Sequence, residues 1–271
     1  MESELEDAGF IDAEETVTRI NALEKNVAQE LNRQNKYFLA AFASIATIGI
    51  LLVEWPKLMQ DDVTGENLWQ IFLNEIEGAV SKLTLRYVED IDPLIGVSKM
   101  TQRTTAWAEQ WSKDLSEYVQ NTTHKDIERL LVEHLKEGKS IEDFISAIKD
   151  SGIRDEYLRA RKIANNEILR AHSVAKHEAL IQCPSVDKHA WKHTASQKGE
   201  PRPYHVELSN EPPIPKNERF TLLGEDGGLH YPLYPRDSVL PPGESINCHC
   251  IEVGIISDDI TRLSLEEQQA L

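Results

Sequence analysis

The densest grouping of chemistry-bearing side chains is Cys248-His249-Cys250. On an extended chain successive side chains alternate faces, so the two thiols point one way and His249 the other. Two thiolates at this spacing can chelate zinc, and a tetrahedral ion then needs two more ligands. His189, His193 and His205 fall on neighbouring candidate strands or loops, and His230 precedes the cysteine segment. A Cys2His2 structural site is thus conceivable, with His205, Cys248 and Cys250 as its weak nucleus. The competing reading is two reduced, half-buried cysteines in a small core. No Cys-x-x-Cys pair completes the set, and Cys183 stands at a helix end. The expectation is therefore no cofactor, with structural zinc as the alternative.

Catalytic chemistry finds less support. There is no His-Glu-x-x-His, Gly-x-Ser-x-Gly, Walker lysine loop or Gly-x-Gly-x-x-Gly. An enzyme would have to be a metal-dependent hydrolase or nuclease built from His193, His205, Cys248 and Cys250, with Glu207 or Glu244 activating water. His172 and His177 are five apart, on different faces of a helix, and make a poor metal pair. Glu167 and Arg170 sit three apart near the centre of a helix. A surface ion pair is the default there; the sharper reading has Arg170 anchoring that helix to another element. No enzymatic activity is expected.

These residues need elements to position them. The 271-residue chain is long enough to bury a core without staples. Its composition is globular, and three cysteines exclude a disulfide-rich scaffold. The opening MESELEDAGF lacks a basic-then-apolar pattern, so a secretory signal is not expected, and the compartment reads as reducing. The net charge of −17 repels phosphate backbones and disfavours a general nucleic-acid coat. Residues 154–205 are an exception, with ten Lys/Arg against six Asp/Glu. Either a helix and a loop happen to be basic there, or the stretch is a local patch for a polyanion or a protein partner.

Residues 1–11 read as acidic and frayed, and Asp12 with Glu15 reads as a capping box. No proline follows until Pro56, which predicts one long helix. Within it the uncharged run 37–53 is near the short limit for spanning a bilayer. A helix buried against protein, either the next helix (68–90) or an assembled oligomer, is favoured over a single membrane anchor. Apolar spacing predicts a helix over 67–90, broken by Pro93 and Gly96, and core aromatics at Trp107, Trp111 and Tyr118. Thr123 and Ser140 cap two short helices, closed by Gly138 and by Ser151-Gly152. A long helix follows over 155–182, with Leu158, Ile163, Ile168, Val174 and Leu180 on one buried face, and Pro184 ends it.

Ten of the twelve prolines lie between 184 and 242, which marks a change of architecture. Strand-capable runs appear at 186–194, 204–208, 219–223 and 246–256. The fold class is α+β: a mostly helical N-terminal two-thirds and a small C-terminal module of short antiparallel strands packed on the long helix. The expected divisions are a helical region at 1–100, a second at 101–182, the α+β module at 183–258 and an acidic tail at 259–271.

The stretch ARKIANNEILRAHSVAKHEAL at 160–180 resembles the helix of the phage Mu F-like head morphogenesis family, the minor head proteins. That helix reads Ile-Ala-Arg-Thr-Glu followed by Arg-Ala; here Ile163, Ala164, Glu167, Arg170 and Ala171 match, and Asn165-Asn166 replace Arg-Thr. Downstream, the family's Trp strand, Arg-x-x-His segment, Tyr-Pro segment and closing Asn-Cys-Arg-Cys strand are matched in order. The corresponding residues are Trp191, Arg202 with His205, Tyr231-Pro232, and Asn247-Cys248-His249-Cys250, with His249 replacing the usual Arg. The resemblance covers about 123–254. It implies a non-enzymatic virion component, oligomeric in the assembly. Its partners would be the portal, scaffold or major capsid protein, with packaged DNA near the basic region 154–205 as a further one, and its role head assembly and DNA packaging or ejection. The location implied is the head interior or portal, with assembly in the host cytoplasm.

Overall fold

The computed structural model describes residues 1–93, 100–151, 156–194 and 201–261. The helices are α1 (Glu2–Asp7), α2 (Ala13–Ala43), α3 (Ile48–Gln60), α4 (Thr64–Ile91), α5 (Gln102–Lys136), α6 (Ile141–Asp150) and α7 (Glu156–Gln182). They are followed by β1 (Val186–Lys192), α8 (Pro203–Ser209), β2 (Ile214–Pro215), β3 (Leu222–Leu223), β4 (Leu229–His230), α9 (Pro242–Ser245), β5 (Ile251–Ile256) and α10 (Asp258–Thr261). The architecture is α+β, helical first and short-stranded after. Contacts divide the chain into two compact units, each gathered from separated stretches. One comprises residues 1–19, 76–107 and 165–271; the other comprises 20–75 and 108–164.

The second unit is helical, and it absorbs much of the apolar run 37–53. The run is not one rod. α2 ends at Ala43, and the Thr47 hydroxyl accepts the Ile50 N–H at 3.3 Å to start α3. Among the described residues no helix is long and apolar enough to cross a membrane. Phe38, Phe42, Ile48, Leu51 and Trp55 pack against Ile127 and Leu131 of α5 and Ile141, Phe144 and Ile148 of α6. The covering surface is thus α5 and α6 rather than the helix at 68–90. Ile50, Leu52 and Val53 stay exposed. Pro56 does not end α3; it lies on the exposed side, while Leu51 and Trp55 hold the buried one.

A buried carboxylate ties this unit's turns together. Asp62 accepts from Gln34 Nε2 at 2.6 Å, Thr64 Oγ1 at 2.6 Å and the Thr64 N–H at 3.0 Å, and meets His124 Nε2 at 2.9 Å. Burial pushes its pKa up, but His124, Thr64 and Gln34 outweigh burial and hold it well below the usual range.

Several local expectations change. Thr123 lies inside the single helix α5, where its hydroxyl donates back to the Val119 carbonyl at 3.4 Å instead of capping. The inward face of α5 carries Ala108, Ser112, Ser116 and Val119; Trp107 and Trp111 are half-buried and Tyr118 is exposed. Gly138 does follow this helix, at φ +67, a left-handed value that favours glycine. Ser140 and Asp143 form the full capping box of α6. α4 buries Leu68, Phe72, Ile76, Val80, Leu83 and Tyr87 on one face, as its spacing predicts. Gly96, Gly152 and Asp155 lie outside the described residues, as does most of the tail beyond α10.

In the first unit the N-terminal segment is not frayed. Leu5, Ala8, Phe10 and Ala13 are buried with Leu169, and Ile251 packs beside them. The Asp12–Glu15 box does not form. Arg86 takes the Asp12 carboxylate at 3.0 Å, and Glu15 binds Arg19 and Lys82, each at 2.9 Å.

The later part of α7 is this unit's axis. From Ala164 to Leu180 it is buried almost all round, with Ala171, Ala175 and Ala179 fully covered, whereas Leu158 is exposed. Lys216 Nζ caps its C-terminus, donating to the carbonyls of Leu180, Ile181 and Cys183 at 3.2, 3.4 and 2.7 Å. β1 pairs antiparallel with β2 on one side and with β5 on the other, setting Trp191 opposite Glu252. The run 204–208 is helical, because Pro203 starts α8 at its first turn. Only Leu222–Leu223 of 219–223 pairs, with β4, and only Ile251–Ile256 of 246–256 is strand.

Candidate functional site

The loops around β1 and β5 converge on Cys248 and Cys250. Both cysteines are buried and form no disulfide, and His249 is partly exposed. The alternation expected of a strand therefore holds in an extended segment that has left the ladder. α9 precedes it, and Asn247 turns the chain at φ +56, its N–H donating to Asn166 Oδ1 of α7 at 2.9 Å. Asn166 is one of the two positions where the helix departs from the family pattern.

α8 brings His205 beneath the cysteines. Its Nδ1 lies 3.6 Å from Cys248 Sγ and 3.5 Å from Cys250 Sγ. Its Nε2 meets Glu244 Oε2 of α9 at 2.9 Å, and Glu244's other oxygen accepts the Glu225 N–H at 2.8 Å. A carboxylate at Nε2 keeps the proton there and leaves the Nδ1 lone pair facing both sulfurs. His193, just past β1, places its Nδ1 3.7 Å from Cys250 Sγ. Trp191 packs edge-to-face on His205, with ring centres 5.3 Å apart. The Cys250 thiol donates to Cys248, which pushes Cys250 up and holds Cys248 well below the usual thiol range; the buried Arg236 guanidinium adds to the effect on Cys248.

A buried clamp joins this segment to α7. Arg170 Nε donates to Glu167 Oε2 at 3.0 Å, with both side chains buried, and Nη1 donates to the Arg236 carbonyl. Arg236, fully buried at φ +65, donates to the Leu169 carbonyl at 3.0 Å and to Ser173 Oγ at 2.7 Å, both on α7. Its Nη1 donates to the Cys248 carbonyl, and its guanidinium lies over the Phe10 ring at 5.2 Å. Nothing in the sequence marked Arg236: it stands as one arginine in a proline-rich loop.

Of the other candidates, Arg202 donates to the Ile246 carbonyl at 2.7 Å, on the exposed side of the turn. Glu207 lines a separate cleft of about 480 Å³ bounded by Trp191, Tyr204 and Phe220. His230 pairs with exposed Asp226 at 3.2 Å. His189 and His177 both meet Glu252, which the sequence did not single out. Oε1 of that carboxylate lies 2.5 Å from His189 Nδ1 and 2.9 Å from His177 Nδ1. Burial pushes Glu252 up, but the two imidazoles outweigh burial and hold it below the usual carboxylate range. His172 sits apart, its Nε2 2.6 Å from Thr16 Oγ1 and its Nδ1 3.1 Å from the Tyr87 hydroxyl.

The basic stretch 154–205 is largely spent on internal contacts. Arg170 is in the clamp, Arg159 donates to Thr123 and the Val119 carbonyl, and Arg161 pairs with Glu24 at 2.9 Å. Lys188 and Lys192 are exposed on β1, while Arg154 and Lys198 lie outside the described residues.

A buried helix that carries a Glu/Arg clamp, closed by an Asn-Cys-His-Cys segment beside a three-stranded sheet, makes up the α+β module. The chain belongs to the Phage Mu protein F like family, whose pattern matches residues 125–253. It is 30% identical over 259 residues to the uncharacterized protein YqbB of Bacillus subtilis (strain 168), covering 93% of this chain and 83% of that protein. No solved structure matches the chain significantly.

Proposed function

We propose that the protein is a minor head protein of a phage or prophage particle, acting by binding rather than by catalysis. It would associate with the portal and with scaffold or major capsid protein, as a component of the head interior or portal. Its role would be in head assembly and in DNA packaging or ejection. The observation that carries this reading is membership of the Mu F-like family through residues 125–253. The disposition of polar groups supports it. Glu167, Arg170, His172, His177, His189, His205 and Arg236 are buried in contacts that join elements. A net charge of −17, with the arginines of 154–205 largely engaged internally, favours protein partners over bare DNA.

Co-expression with the portal and major capsid proteins of the phage or prophage that encodes it tests the proposal. The chain is expected to co-purify with a tagged portal protein, or to be retained in procapsids after sedimentation. Free chain only, with complete procapsids formed in its presence, would contradict the reading. So would turnover of a nucleic acid or peptide by the purified chain.

A further inference from the structure

We propose that Cys248, Cys250 and His205 bind one zinc ion as a structural site, with Glu244 as the outer partner that orients His205 and with His193, whose Nδ1 is 3.7 Å from Cys250 Sγ, outside this three-ligand group. This goes beyond the head-protein reading and does not depend on it.

The argument is geometric. Around tetrahedral zinc, bonds of about 2.3 Å to sulfur and about 2.1 Å to nitrogen place sulfur and nitrogen ligands about 3.6 Å apart. Here the distances are 3.6 Å from His205 Nδ1 to Cys248 Sγ and 3.5 Å from the same nitrogen to Cys250 Sγ. One ligand atom from each of His205, Cys248 and Cys250 lies within 4.8 Å of the others, so all three can face a single ion.

The chemistry of the surroundings agrees. A zinc-bound imidazole gives its other ring N–H to a carboxylate or carbonyl. Glu244 fills that place at 2.9 Å, and is itself fixed by the Glu225 N–H. Zinc binding releases the two thiol protons to solvent, and the resulting dianionic sulfur pair lies near the buried Arg236 guanidinium, which donates to the Cys248 carbonyl. The other His-rich cluster lacks this signature. In it, Glu252 Oε1 lies 2.5 and 2.9 Å from the two imidazole nitrogens, which are hydrogen-bond distances with no room for an ion between the atoms.

Metal analysis of the purified full-length chain, grown with added zinc and then desalted, tests the site. The expected result is about one zinc per chain. Replacement by cobalt should give the ligand-field bands of a tetrahedral ion and a thiolate-to-cobalt charge-transfer band. Chelator should lower the melting temperature. Cys248→Ser should abolish binding; should that variant fail to fold, Glu244→Gln still reports, with zinc affinity expected to fall about 10–100-fold. Background zinc in the wild-type chain, with no cobalt band, would overturn the proposal. Unchanged zinc affinity in Cys250→Ser or His205→Ala would overturn the three-ligand set.

Discussion

Arg236 takes its charge into the interior of the first unit and offers its donors to two carbonyls and a hydroxyl. Removing the side chain leaves those acceptors buried and separates α7 from the cysteine segment. Arg236→Met should therefore cost about 3–5 kcal/mol in denaturant unfolding. Arg170→Ala should cost about 2–4 kcal/mol, because Glu167 loses a buried charge partner. Since Arg170 donates to the Arg236 carbonyl, the double variant should depart from additivity by more than about 0.5 kcal/mol. Full additivity would show two independent contacts instead of one clamp. A single cost near 0.5 kcal/mol at Arg170 would be that of a surface pair.

His172 gives a residue-scale prediction about pH. Burial, with Arg236 adding to it, pushes its pKa down from 6.5 to about 3. The folded ring stays neutral over that range while the unfolded ring takes a proton, so falling pH favours the unfolded state. Stability should decline as pH drops from 6.5 towards 3, by up to about 1.4 kcal/mol per pH unit from this group. Melting temperatures across that range check it. His172→Leu is expected to flatten the slope even if it lowers the melting temperature throughout; an unchanged slope would remove His172 from the account.

At the scale of elements, long periodic helices and their punctuation were legible, and short strands were not. The face of α4 and the capping box of α6 follow from local spacing and chemistry, which tertiary context left alone. The break between α2 and α3 was hidden, because nothing in the uncharged run 37–53 outweighs continued helix except a Thr cap and the pull of α5 and α6. The run at 204–208 alternates like a strand, yet Pro203 supplies a helical first turn and His205 is needed beneath the sulfurs. The site was legible as residue types around Cys248 and Cys250, but not as contacts. Glu244, Arg236 and Glu252 are ordinary charged residues until the chain folds them inward.

One packing contact tests the α7–β5 junction. A methyl at Gly254 would stand 2.3 Å from Leu180 Cδ2 and 3.3 Å from Val186 Cγ1. Gly254→Ala should destabilise by about 1–3 kcal/mol through overpacking, and Leu180→Val in the same chain should recover part of that loss. Calorimetry on the single and double variants reads both. A silent Gly254→Ala would mean that β5 does not press on the end of α7.

For the whole molecule, function was legible only through resemblance. Composition and charge excluded a secreted scaffold and disfavoured a nucleic-acid coat, but they name no partner, because a binding protein needs no catalytic motif to betray it. The helix 160–180 and the closing Asn-Cys-His-Cys carried the family, and the match over 125–253 agrees with them. The central claim is that this chain is a structural component of a phage head. The most direct measurement is mass spectrometry of particles purified from the phage or prophage that encodes it, with and without its gene. The account predicts the chain in purified heads and, in its absence, a loss of infectious or DNA-filled particles. Infectious particles that lack the chain and form at the normal yield would contradict it.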